Sequence, residues 1–89
     1  MAFPENNPAQ TLEEKQEEQR KLRRLQLVLN MTLSVLRQDP HLTLAQANVM
    51  IANCKAAALA MFPDKEFTFD LLYAPRLRRA MDERFGPLQ

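Results

Sequence analysis

Leucines at 22, 25, 29, 33 and 36 recur at spacings of 3, 4, 4 and 3, and Val28, Met31 and Val35 widen the stripe they draw. That period is one side of an α-helix turned toward a core. The helix starts earlier than the stripe does. Thr11-Leu12-Glu13-Glu14 reads as a capping box, with the Thr11 hydroxyl and the Glu14 carboxylate each satisfying a backbone N–H of the other residue. Asp39-Pro40 stops it, since the residue before a proline disfavours helical geometry. From Leu12 to Arg24 almost every side chain is charged or an amide, so the first half has no face to bury. Glu17 is spaced to pair with Lys21 at i,i+4.

A second helix follows at once. Thr43-Leu44-Ala45-Gln46 is another capping box, and Leu42 and Ala47 hold hydrophobic-staple positions around it. Leu44, Ala47, Ile51, Cys54, Ala58 and Met61 form an apolar seam, and five further alanines fill much of the rest. Alanine costs little side-chain entropy in a helix and lets a neighbouring helix approach closely. Such composition predicts an interior helix, wrapped by the leucines before it and the aromatics after it. The short connection predicts an antiparallel hairpin with the first helix.

Pro63 ends the second helix. Phe67-Thr68-Phe69-Asp70-Leu71 alternates like a strand, but one short strand has nothing to pair with. A helical segment capped by Thr68 or Asp64 is the better reading, with Phe67, Phe69, Leu72 and Tyr73 closing the end of the bundle. Pro75 either begins a new helix at its first position or kinks a continuous one. Beyond it Leu77, Ala80, Met81 and Phe85 point inward, Gly86 supplies a C-terminal cap and Pro87 prevents continuation. The expected fold is all-α: a small three-helix bundle with helices over 11–38, 43–62 and 68–85, the last kinked or split at Pro75. Residues 1–10 are expected to be a disordered or loosely packed tail, with Phe3 its one candidate anchor, and 11–89 a single domain.

The length of helix one changes this picture. About 27 residues at 1.5 Å each extend ~40 Å, whereas a globule of this chain length has a radius of gyration near ~12 Å. Its own chain cannot cover it. Either the polar half projects into solvent or a second copy lies against it. The projecting half is acidic from Glu13 to Glu18 and basic from Arg20 to Arg24, so two antiparallel copies would set opposite charges together. A homodimer through helix one is therefore the leading expectation, with Leu22, Leu25, Leu29, Glu17 and Lys21 as the self-association residues.

Composition narrows the functional classes. Apolar residues are 46 % and charged residues 26 % of the 89, too apolar for a wholly disordered chain. One glycine leaves no material for a phosphate-binding loop, a dinucleotide fingerprint or a nucleophile elbow. A single cysteine excludes an internal disulfide and a cysteine-rich zinc site. Cys54 lies on the apolar seam and reads as structural, because a nucleophile needs exposure and a partner that lowers its pKa. His41, the lone histidine, sits in a turn and cannot build a metal site by itself. Glu13, Glu14, Glu17 and Glu18 lack the Glu-x-x-His companions of a di-iron bundle and read as a solvated face. No enzyme, cofactor or metal is expected.

Net charge is +1, which argues against a strong field toward nucleic acid. The alternative to a protein-interaction or scaffold module is nonetheless a small nucleic-acid-associated protein. It would touch phosphates through Arg20, Arg23, Arg24, Arg76, Arg78 and Arg79. Against it, Asp82 and Glu83 are spaced to compensate Arg78 and Arg79, and Glu17 and Glu18 precede Lys21. The first ten residues lack the features of a signal peptide and no apolar run could span a bilayer, so a soluble, cytoplasmic protein is expected.

Overall fold

The computed structural model describes residues 11–86. They form four helices, α1 (Leu12–Gln38), α2 (Leu44–Met61), α3 (Glu66–Leu72) and α4 (Ala74–Phe85), and no strand is present among them. The all-α expectation holds. The expected tail over 1–10, its anchor Phe3, and the stop at Pro87 lie outside the described residues.

Both capping boxes form. Thr11 Oγ1 accepts from the Glu14 N–H at 3.1 Å while the Thr11 N–H donates to Glu14 Oε1, and Thr43 and Gln46 repeat the exchange at 3.1 and 3.0 Å. These satisfy N–H groups that a helix start leaves without partners. At the other end of α1, Asp39 N–H closes the last turn on Val35 O at 3.1 Å. Residue 40 would donate next, to Leu36 O, but Pro40 has no N–H. The Asp39 carboxylate instead accepts from the His41 N–H at 2.9 Å, and the chain turns.

The hairpin is antiparallel. The Thr32 hydroxyl lies beside the Cys54 thiol, Leu25 and Ala58 line one hollow, and Lys21 stands over the Phe62 ring at 5.9 Å. Numbers fall along α1 as they rise along α2. α4 then runs in the same direction as α1. Tyr73 shares the hollow with Leu25 at one end, and Arg84 reaches Leu36 at the other. The core gathers where the three meet: Leu25, Leu29, Leu33 and Leu36 of α1, Ala47, Cys54 and Ala58 of α2, Phe69 of α3, and Leu77, Ala80 and Met81 of α4, with Leu42 from the turn.

The C-terminal segment, expected over 68–85 and kinked or split at Pro75, is two helices and begins at Glu66. α3 starts at Glu66 with Lys65 before it and no side-chain cap, so neither Thr68 nor Asp64 caps it. Thr68 falls inside the helix. α3 and α4 are separate elements joined by the single residue Tyr73, whose backbone stays near helical values. Pro75 is the second residue of α4, where the missing N–H removes a bond that would have carried α3 onward. Gly86 caps α4 with φ +95°, its N–H on Asp82 O at 2.9 Å, a backbone region that suits glycine.

Two expectations about cover are corrected. Of the aromatic cluster, only Phe69 is buried and Tyr73 half-buried, their ring centroids 5.8 Å apart. Phe67 is 78 % exposed and Leu72 is exposed too, because residues 67 and 69 point to different sides of a helix. The alanine-rich helix is also not interior all round. Ala47, Cys54 and Ala58 are buried, but Leu44, Ala45, Val49, Ala52, Ala56 and Ala60 are exposed. An 18-residue helix needs neighbours on every side to be enclosed, and among the described residues only α1, α3 and α4 pack against it.

Candidate interaction surface

α1 outruns the body it packs on. Leu25 is its first buried residue, and from Leu12 to Gln19 every side chain is exposed. The described residues extend 49 × 20 × 18 Å with a radius of gyration of 16.0 Å, well above the ~12 Å of a compact chain of this length. The projection inferred from helix length is present.

The proposed self-association residues fall into different environments. Leu25 and Leu29 are buried in the intramolecular core and offer nothing to a second molecule while the fold is intact. Leu22 is exposed at the rim of the apolar hollow, about 160 Å³, that it forms with Leu25, Ala58, Leu59, Phe62, Phe69 and Tyr73. Lys21 is half-buried and engaged with the Phe62 ring. Glu17 pairs with Arg20 at 2.7 Å, three residues on, instead of with Lys21. The guanidinium beside it holds the Glu17 carboxyl below its usual range, through the hydrogen bond first and charge second.

The basic residues of the nucleic-acid alternative, Arg20, Arg23, Arg24, Arg76, Arg78 and Arg79, are all exposed. The compensation expected for Arg78 and Arg79 takes another form. Glu83 turns to Arg37 of α1, 3.9 Å away, and Asp82 is half-buried at the edge of a cleft between α2, α3 and α4.

Two polar clamps join the elements, and neither is signalled by local spacing. Lys55 of α2 bridges two carboxylates of α3, Glu66 at 2.9 Å and Asp70 at 3.0 Å, and both raise its pKa, led by the Glu66 hydrogen bond. Arg84 of α4 reaches across to the turn after α1. Its guanidinium donates to Leu36 O at 2.8 Å, to Asp39 O, and to Leu42 O at 3.4 Å. Arg84 thus takes the carbonyl that Pro40 leaves without a donor, and a cation there also meets the negative end of the helix dipole.

Cys54 is buried, and burial pushes its thiol pKa up, with the adjacent Thr32 hydroxyl partly opposing. That is the reverse of what nucleophilic activation requires. Among the described residues no three His, Cys, Asp or Glu side chains gather as a metal site, and no helix is long and apolar enough to cross a membrane.

One broad surface remains. Leu27, Met31 and Val35 follow one another at i, i+4 and i+8 along α1, all exposed, so Met31 and Val35 do not widen the core stripe as expected and only Val28 does. Because α2 lies on the side of α1 marked by Lys21 and Thr32, and α4 on the side marked by Arg37, this ridge sits on the face of the hairpin turned away from α4. On the same face α2 presents Val49, Asn53, Ala56 and Ala60. The two-helix layer is covered by α3 and α4 on one side and open on the other.

Comparison with protein-family models, with curated proteins and with solved structures gives no match to this chain.

Proposed function

We propose that this protein is a protein-interaction or scaffold module that self-associates through the exposed side of α1. The observation that carries the reading is the mismatch between α1 and its support: a continuous 27-residue helix whose side chains from Leu12 to Arg20 are all exposed. A small domain has a thin stability margin, and a second copy adds the buried surface its own chain lacks. No catalysis and no cofactor form part of this reading, and a cytoplasmic setting belongs to it. Sedimentation equilibrium between about 1 and 100 μM, a range suited to micromolar affinities, is the test. A concentration-dependent dimer is expected, and a strict monomer across that range refutes the reading.

One observation favours a second reading. With Glu83 turned to Arg37, the α4 arginines Arg76, Arg78 and Arg79 face solvent with less local compensation than their spacing suggested. As a phosphate-binding face they would shift DNA or RNA in a gel, weakening steeply as salt rises. An interaction module shows no such shift at physiological salt.

A further inference from the structure

Between α2, α3 and α4 lies a cleft of about 340 Å³, built without any residue of α1. Its floor is apolar: Ile51 from α2, Phe69 from α3, and Leu77 and Met81 from α4, all buried or half-buried. Five polar side chains line it as well, Asn48, Lys55, Asp70, Arg78 and Asp82. A concave space of a few hundred Å³, mostly apolar with a few convergent polar groups, has the character of a small-molecule site.

The polar groups divide into two sets. Lys55 and Asp70 satisfy each other at 3.0 Å, toward the α3 end of the cleft. Asn48, Arg78 and Asp82 lie toward the other end, because α2 and α4 run antiparallel, and their side chains have no partner among the described residues. Arg78 and Asp82 stand four residues apart on α4 and line the same cleft, yet no ion pair joins them. The guanidinium is exposed at the rim and the aspartate is half-buried. A carboxylate partly withdrawn from water without a donor costs free energy that a bound ammonium would recover. Basic and acidic side chains balance around the cleft, so a polyanion would meet two carboxylates there and a dipolar molecule is the better match.

We infer that this cleft binds a free aromatic α-amino acid, its carboxylate on the Arg78 guanidinium, its ammonium on the Asp82 carboxylate and its ring over Leu77 and Met81 toward Phe69. Both charged groups of such a ligand sit on one carbon. Residues four apart on a helix have Cβ atoms about 5–6 Å apart, close enough for one ligand to meet both. Arginine takes a carboxylate with two parallel N–H donors. A methionine sulfur and an aromatic ring attract one another, and so do two rings set edge to face. Size agrees: a cavity of ~150 Å³ holds benzene, and the same ratio gives a cleft of this volume about 13 non-hydrogen atoms, the size of phenylalanine or tyrosine. The site lies wholly within one chain and stands whether the protein is a monomer or a dimer.

Titration of the isotope-labelled full chain with L-phenylalanine, followed by amide NMR shifts, is the test. Saturating shifts over residues 48–55 and 77–82 are expected, with Kd near about 1 mM for a ligand of this size. Hydrocinnamate lacks the ammonium and phenethylamine lacks the carboxylate. Each should bind at least about tenfold more weakly, since each leaves one charged group of the cleft unpaired. In Asp82→Asn the amino acid should lose its advantage over hydrocinnamate, and in Arg78→Gln its advantage over phenethylamine, with far-UV circular dichroism unchanged in both. If a variant unfolds, the ligand series in the parent still decides. No saturating shift up to about 30 mM L-phenylalanine overturns the inference. So does saturation centred on the hollow of Leu22 and Phe62, and so does hydrocinnamate or phenethylamine binding as tightly as the amino acid.

Discussion

Replacing Arg84 with alanine removes the one side chain that holds three backbone carbonyls from three positions of the α1–α2 turn. The acceptors are Leu36 O, Asp39 O and Leu42 O. A hydrogen bond to a charged donor contributes about 1.5–3 kcal/mol, and a cation at a helix C-terminus about 0.3–1 kcal/mol. The Leu42 contact is long at 3.4 Å, and Arg84 is only half-buried, so water replaces part of what the variant loses. The guanidinium also lies 5.3 Å from the Phe85 ring centroid, a smaller contribution. Together these give a loss of about 2–3 kcal/mol. A domain of this length has a total stability of roughly 4–13 kcal/mol, so the loss is a large fraction.

Urea unfolding followed by helical circular dichroism reads this directly, with the thermal midpoint falling by roughly 10–20 °C. Arg79→Ala is the control: an exposed arginine on the same helix, expected to change stability by less than about 0.5 kcal/mol. Arg84→Lys should recover only part of the loss, because one ammonium cannot reproduce the fork that reaches separated carbonyls. If Arg84→Ala unfolds within about 0.5 kcal/mol of the parent, then Leu36 O is satisfied by water and the clamp is not a stabilising device.

Two further outcomes follow from the core and its titrating groups. Phe69→Ala should cost about 3–5 kcal/mol in urea unfolding, while Phe67→Ala, 78 % exposed, should leave the midpoint near that of the parent; equal losses would put both rings in the core. The alkaline limb of a stability–pH curve should fall early, and both shifts have the same sign there. Cys54 has a raised folded pKa, so its protonated form favours the fold below the unfolded thiol pKa, and that contribution is lost as pH rises above about 8.5–9. Lys55 also has a raised pKa, so its contribution is full below the unfolded lysine value and lost as pH climbs through the folded one. Cys54→Ala should flatten the first part of this decline; an unchanged curve would show that thiol ionisation is not linked to unfolding.

Much of the fold was legible because it is encoded locally. Capping boxes at Thr11 and Thr43, the stop at Asp39-Pro40, and the leucine stripe each depend on residues within a turn or two of one another. The projection of α1 was legible as well, since helix length is simple arithmetic. What could not be read were relations across the chain. Nothing near Arg84 marks it as the partner of a carbonyl 48 residues away, although Pro40 does signal that Leu36 O loses its usual donor. Glu83 looked like a local partner for Arg79 until the parallel course of α1 and α4 brought Arg37 nearer. Leu25 and Leu29 were assigned to a dimer seam by the same stripe that buries them within the monomer. Periodicity identifies a face but does not distinguish a neighbouring segment from a neighbouring molecule.

The alanine-rich helix shows the same limit from the other direction. Its apolar residues surround it almost evenly, so composition pointed to enclosure while giving no preferred side. Enclosure is a question of how much chain remains to do the enclosing. After α1 and α2 are built, only α3 and α4 are left within the described residues, and both pack toward one side of the hairpin. The far side keeps Val49, Ala56 and Ala60 of α2 exposed beside Leu27, Met31 and Val35 of α1, with Asn53 and Arg24 among them. A face intended for water ordinarily carries lysine and glutamate, as the first half of α1 does in full view. The two exposed surfaces of α1 grade into one another: the stripe of Leu27, Met31 and Val35 runs into Arg24 and Arg20 toward the projecting end, so charge returns where the body of the protein stops.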